Sequence, residues 1–250
     1  MKKITPLTNK NTPIVILVRP QLAENMGMVA RAMMNCCLSD LRLVSPRDNH
    51  LSDKAISASS GAQVILENAT CFDTLEEALK DIQYVLATSA RKRDMVKEVF
   101  SPQTGIETLN THLSNNHKCA FLFGAERTGL ENKEIVFANG IIEIPLNPLH
   151  ASLNLSQAVL LIGYEWLKNN DKNKMSHKNN LPSLATQEEL NAFFNHLETL
   201  LEERGYFRFL DKKERMSHNL KNIFLKNQLT RSEIKTLHKV ITDLTRPKNQ

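Results

Sequence analysis

IIEIPLNPLHASLNLSQAVLLIGYEW, residues 141–166, runs from an apolar strand through a Pro-punctuated turn straight into a helix that Ser152 opens. In an α/β sheet, a helix start beside a strand end presents free backbone N–H groups, which suit a small anionic or polar ligand. The segment therefore reads as a ligand cradle, although a buried strand and helix joined by an ordinary loop would carry the same residues. The rest of the chain favours the cradle.

Working outward, apolar β-rich runs recur at residues 14–18, 41–44, 84–88, 119–123 and 141–144, with a weaker one at 64–66. Helical patterns lie between most of them, at 27–37, 53–60 and 75–82, and a last one follows at 153–167. Continuous apolar strands alternating with helices predict an α/β domain over residues 1–167, with a mainly parallel sheet covered on both faces. Residues 168–182, KNNDKNKMSHKNNLP, are polar, charged and aperiodic, and read as a linker. Beyond them Thr186 with Glu189, and Thr230 with Glu233, form capping-box patterns ahead of apolar residues at helical spacing. With a middle helix holding Leu220, Ile223 and Phe224, residues 183–250 are expected to form a small all-α domain.

The bulk properties narrow the function classes. A chain of 250 residues, 41% hydrophobic, holds one sizeable core and a small second unit. No apolar run approaches the roughly 18 residues of a membrane helix, and MKKITPLTNKNTP at the N-terminus has no apolar stretch behind its charge, so a cytoplasmic protein is expected. Cys36, Cys37, Cys71 and Cys119 lack CxxC pairing and read as reduced core residues, with neither a zinc site nor a disulfide framework. The net charge of +5 is unevenly spread: residues 1–167 hold 16 Lys and Arg against 17 Asp and Glu, residues 168–250 hold 16 against 10. A basic appendage on a near-neutral body suits a polyanionic partner, since phosphate contacts release counterions. A solvated helical face would look the same.

Three further clusters could carry chemistry. Asn25, Gly27 and Arg31 follow the first strand within RPQLAENMGMVARAM, and Gly27 and Arg31, four apart, leave room for a close backbone approach beside a guanidinium. Thr88, Ser89 and Ala90 close the strand YVLAT, with Arg91 and Arg93 in reach of phosphates. FLFGAERTGLENKE, residues 121–134, ends a strand in a turn where Gly124 and Gly129 supply conformational freedom and Glu126 and Arg127 supply polar groups. A surface helix and two charged loops would explain each cluster alone. No GxGxxG, Walker sequence, GxSxG elbow or HExxH spacing is present, which disfavours dinucleotide, P-loop, serine-hydrolase and metal chemistry.

Taken in order, ENMGMVARAM (24–33), TSARKR (88–93), LFGAERTGLENKE (122–134) and IPLNPLHASLNLSQAV (144–159) resemble the motifs of the SPOUT, or trefoil-knotted, RNA methyltransferases. Within that superfamily they are most similar to the bacterial tRNA (cytidine/uridine) ribose 2′-O-methyltransferases. The resemblance implies a deep C-terminal knot in the sheet, an exception to the rule that chains avoid knots, and S-adenosylmethionine bound in it, bent and touching mostly backbone. It implies a donor site of Thr88, Ser89, Ala90, Gly124, Ile144, Leu146, Ala151, Ser152 and Leu153, completed across a homodimer, and no metal. Catalysis falls to Arg31, Ser152 and Asn154. Because a guanidinium is a poor base, Arg31 is expected to hold a phosphate and orient the hydroxyl. Asn25, Arg31, Arg91, Arg93 and Glu126 are the expected RNA contacts, and the helical tail the expected tRNA-binding domain. The implied target is nucleotide 32 of the anticodon loop, while Leu149 and His150 stand where the family commonly has a polar or aromatic residue. The readings left open are a ribosomal RNA methyltransferase of the same superfamily, disfavoured by the short stretch before the first strand, and a catalytically silent RNA-binding knot protein.

Overall fold

A computed structural model describes residues 12–89, 97–170, 183–226 and 228–246. Ala90, Arg91, Arg93 and residues 171–182 of the expected linker 168–182 lie outside the described residues, and Lys168 and Asn169 from its start belong to the helix that ends at Asn169. The strands are β1 (Ile14–Val18), β2 (Leu41–Val44), β3 (Thr70–Phe72), β4 (Tyr84–Thr88), β5 (Glu98–Phe100), β6 (Cys119–Phe123) and β7 (Gly140–Ile142). The helices are α1 (Ala23–Asn35), α2 (Asp53–Ser59), α3 (Gln63–Glu67), α4 (Leu75–Leu79), α5 (Pro102–Ser114), α6 (Asn132–Ile135), α7 (Leu155–Asn169), α8 (Gln187–Glu203), α9 (Leu210–Leu225) and α10 (Arg231–Thr245).

All pairings run parallel, in the order β3-β2-β1-β6-β4-β7-β5. The central strands are buried along their whole length, and the two-residue alternation sorts their side chains onto two cores. Val15 and Leu17 face the core shared with α1, α5 and α7. Ile14, Ile16 and Val18 face a second core built with α4 and α6.

Several expectations need correction. Residues 64–66 belong to the helix α3, not to a strand. The strand expected at 141–144 ends at Ile142, and Ser152 does not open the helix that follows. Asn154 is its N-cap, in a capping box with Gln157, and α7 starts at Leu155. Of the cysteines, Cys36 and Cys119 are buried while Cys37 and Cys71 are exposed, all four free. Nor does Gly27 leave room beside Arg31. A Cβ there would lie 2.1 Å from the Ala55 carbonyl oxygen and 2.9 Å from the Ala58 Cβ, so α2 fills that space.

That contact decides the sign of a substitution. Gly→Ala inside a helix ordinarily stabilises by roughly 0.5–1 kcal/mol. In Gly27→Ala the new methyl meets backbone and α2 must move, an overpacking cost of about 1–3 kcal/mol. Thermal unfolding of Gly27→Ala is expected several degrees below that of the parent chain; a raised Tm would refute the packing argument.

A buried histidine pair gives the fold a pH dependence. His112, 3% exposed, stacks on Tyr84 with centroids 3.9 Å apart, and its Nδ1 lies 3.1 Å from Nδ1 of His117. Burial, and secondarily the neighbouring His117, push the His112 pKa from 6.5 down to about 4. Between those values the unfolded chain takes up a proton that the folded chain refuses, so stability falls as pH drops through the window. His112→Gln is expected to flatten the pH 4–6.5 slope of Tm; an unchanged slope would assign it to other groups.

The tail helices α8, α9 and α10 share their own core of Leu190, Phe193, Phe194, Leu225 and Ile234. Gln187, 1% exposed, joins that core to the sheet. Its backbone N–H donates to the Ile82 carbonyl at 3.0 Å and its Nε2 to the Phe137 carbonyl at 3.1 Å. Gln83 Nε2 returns a bond to the Leu184 carbonyl at 3.1 Å. The tail is thus fastened at the start of β4, at the opposite end of that strand from Thr88.

Candidate active site

The carboxyl ends of β4, β6 and β7 lie side by side in the sheet and open into a cavity of about 380 Å³. Thr88 and Ser89 come from the end of β4, Gly124 to Leu130 from the loop after β6, and Ile144, Leu146, Ala151, Ser152 and Leu153 from the loop before α7. Every described residue of the expected donor site therefore lines one cavity. Phe123, Ile142, Leu155 and Ala158 complete its apolar wall; the sequence reading did not single them out. Their signal was position alone, at the last strand residues and the first turn of α7.

The loop after β6 is shaped by its glycines. Gly129, at φ +65°, donates its N–H to the Ala125 carbonyl at 2.7 Å and closes the turn. The returning chain passes so close to Gly124 that a Cβ there would lie 2.1 Å from the Gly129 carbonyl carbon and 2.2 Å from the Leu130 nitrogen. Only glycine fits.

Glu126, near the tip of this loop, ties it to the start of α1. Its carboxylate accepts from the Gln21 N–H at 2.9 Å, the Leu22 N–H at 3.2 Å and Asn25 Nδ2 at 2.8 Å. A carboxylate at a helix N-terminus is favoured by the free N–H groups and by the helix dipole. Asn25, 4% exposed, accepts in turn from Asn154 Nδ2 at 3.0 Å. Asn154 Oδ1 then accepts the Ser156 N–H and hydroxyl, each at 2.8 Å. One chain of hydrogen bonds thus stitches together three segments that are far apart in sequence. In this structure Asn25, Glu126 and Asn154 spend their polar atoms on each other and on helix ends, and Ser152 is the exposed hydroxyl of the group.

A second clamp sits behind the loop. Arg19, at φ +51° just past β1, bonds to Glu131 at 2.9 Å and to Glu134, holding the N-terminus of α6 against β1. The strongly perturbed lysine among the described residues is elsewhere. Lys97, half-buried and pulled down to about 7 by desolvation, donates to the Val136 and Ala138 carbonyls just before β7, at the strand end away from the cavity.

Arg31 stands apart. It is exposed on α1, does not line the cavity, and has no hydrogen bond or ion pair among the described residues. On the adjacent α7, Leu160, Leu161, Tyr164 and Leu167 form an exposed apolar stripe, and Met28 is exposed on α1 itself. No group of three or more His, Cys, Asp or Glu among the described residues could hold a metal ion, and no described helix is long and apolar enough to cross a membrane.

Comparison with known proteins returns a consistent picture. The profile of the SpoU rRNA Methylase family matches residues 12–164. The chain is 35% identical over 240 residues to the tRNA (cytidine/uridine/adenosine-2′-O-)-methyltransferase TrmJ of Pseudomonas aeruginosa, covering 92% of each chain. It is 31% identical to an uncharacterized tRNA/rRNA methyltransferase of Haemophilus influenzae, covering 94% of this chain and 98% of the other. The crystal structure of TrmJ from Z. mobilis superposes with a TM-score of 0.85 at 40% identity, over 94% of this chain and all of that one.

Proposed function

The chain belongs to the SpoU rRNA methylase family, and we propose that it is an RNA ribose methyltransferase that moves a methyl group from S-adenosylmethionine to a 2′-hydroxyl of tRNA, at nucleotide 32 of the anticodon loop. The observation that carries the reading is the convergence of the loops after β4, β6 and β7 on one cavity, stitched to the start of α1. What favours tRNA over ribosomal RNA is that relatives named for tRNA methylation match along nearly their whole length, the helical tail included.

The cavity suits the donor. Its volume is that of a small-molecule site, Gly124 and Gly129 bring backbone to its wall, and Leu146, Leu153 and Leu155 offer apolar surface to a nucleoside and a thioether. S-adenosylmethionine supplies the electrophilic methyl group on its sulfonium. The protein has to align a ribose oxygen with that carbon and help its proton leave. Ser152, exposed on the cavity rim, is placed to orient the hydroxyl. Asn154 holds the loop bearing Ser152 through its cap and its bond to Asn25. Glu126 and Asn25 keep the loop after β6 in register with α1, and Arg31 holds the phosphate next to the target ribose.

The working unit in this proposal is a homodimer. Arg31 is off the wall of its own cavity, and the apolar stripe on α7 beside it resembles surface that pairs with another copy. Two further parts of the reading are the trefoil knot in the connection from β7 to α7, and a tail, residues 183–250, that binds tRNA through its excess of positive charge. The test is incubation with tRNA and isotope-labelled donor, nuclease digestion and mass spectrometry of the nucleosides. Labelled 2′-O-methylcytidine or 2′-O-methyluridine is expected. Label on a base, or label only when ribosomal RNA is supplied, would overturn the proposal.

A further inference from the structure

The turn between α8 and α9 carries RGYFRFLDKKER, residues 204–215, in which aromatic and basic residues alternate. Gly205, at φ +70°, reverses the chain, and the Arg208 N–H donates to the Tyr206 carbonyl at 3.1 Å, so the loop is folded tightly. Phe207 turns inward and is 8% exposed, with its ring edge-on to Tyr206 at 5.2 Å. Tyr206 and Phe209 turn outward, 45% and 60% exposed. Of the ten phenylalanines in the chain, Phe209 alone is exposed.

Lys213, 5.7 Å from the centre of the Phe207 ring, is paired with Glu202 at 2.6 Å, but three other cations beside the rings are uncommitted. Arg208 precedes α9, Lys212 and Arg215 lie three apart on it, and none of the three makes an ion pair among the described residues. The Lys212 ammonium lies 5.2 Å from the centre of the Phe209 ring. Asp211 and Glu214 occupy the neighbouring stripe of α9.

We infer that this turn is a stacking platform for unpaired RNA bases, with Tyr206 and Phe209 as the rings and Arg208, Lys212 and Arg215 as the phosphate contacts. Every base offers a π-face to an open ring, and a stacked base is worth about 1–3 kcal/mol. An RNA duplex hides those faces, so the platform selects loops and single strands. What favours RNA over a protein partner is charge: residues 168–250 hold 16 Lys and Arg against 10 Asp and Glu, and unpaired cations beside open rings complement a phosphate backbone. The inference rests on the tRNA reading above and adds to it a place where the substrate's unpaired nucleotides are gripped away from the cavity.

The test uses the full-length protein with Phe209→Ala, Phe209→Leu and Phe209→Trp. Each is titrated with substrate tRNA and with a blunt duplex RNA, and each is followed by sedimentation. Phe209→Ala and Phe209→Leu are expected to bind tRNA roughly tenfold more weakly, Phe209→Trp to bind like the parent, and duplex affinity to stay unchanged in all three. Parent-like tRNA affinity in Phe209→Leu would replace stacking with a generic apolar contact and overturn the inference. So would an equal loss on duplex RNA, or a change of oligomeric state, which would mean that the ring meets another protein chain. Nucleoside analysis of the parent enzyme's product is read separately: its failure would sink the methyltransferase reading, whereas the stacking inference stands or falls on binding alone.

Discussion

Arg31→Ala is expected to reduce methyl transfer by about 10²-fold or more, the loss that follows when a reacting group is left misplaced by about 1 Å, while donor binding changes little. The reason lies in where the side chain stands. Arg31 does not line the cavity and has no partner among the described residues, so its removal leaves the wall, the Glu126 tether and the α7 cap untouched. What it takes away is a guanidinium facing outward from α1, available to a bound phosphate. Calorimetry should return the parent affinity for S-adenosylmethionine, and turnover with tRNA should collapse. A matching loss of donor affinity would put Arg31 inside the donor site and contradict its assignment.

Gly124→Ala is expected to do the opposite, abolishing donor binding and with it all activity. The added methyl would sit 2.1 Å from the Gly129 carbonyl carbon and 2.5 Å from its oxygen, both backbone atoms of a loop closed on itself. No rotamer change relieves such a clash, so residues 125–130 must shift, and displacement of even 1 Å at a reacting centre costs on the order of 10²-fold. A Gly124→Ala enzyme that binds the donor like the parent would show the cavity is not the donor site. The two variants together report on the dimer. If Arg31 serves the partner's cavity, a mixed dimer of Arg31→Ala and Gly124→Ala keeps one intact site, and activity returns on mixing. If Arg31 serves its own, both sites stay dead.

The architecture was largely legible in the sequence because the central strands are buried on both faces and read as unbroken apolar runs. The edges were not. β3 and β5 are three residues each, mostly exposed, and give no hydrophobic run to detect. Val64, Ile65 and Leu66 mimic a strand, yet they sit in a five-residue helix too short for helical periodicity to show. The cap of α7 was misplaced because Ser152 and Asn154 are both good caps, and Gln157, three residues beyond Asn154, decides between them. In the site, the loops at the strand ends could be found from their glycines and hydroxyls. The bond from Asn25 to Asn154 could not, since nothing local in either segment foretells a partner 129 positions away.

That bond also sets when the cavity is completed. The tether from Glu126 to Asn25 reaches across 101 positions, and its continuation to Asn154 joins the last stretch of the α/β body to the first helix. Contacts so distant in sequence must wait for slow, late closure of the chain. During synthesis, the earlier loops therefore emerge as an unfinished pocket, and the cavity lacks its last wall until the segment holding Asn154 has left the ribosome and docked.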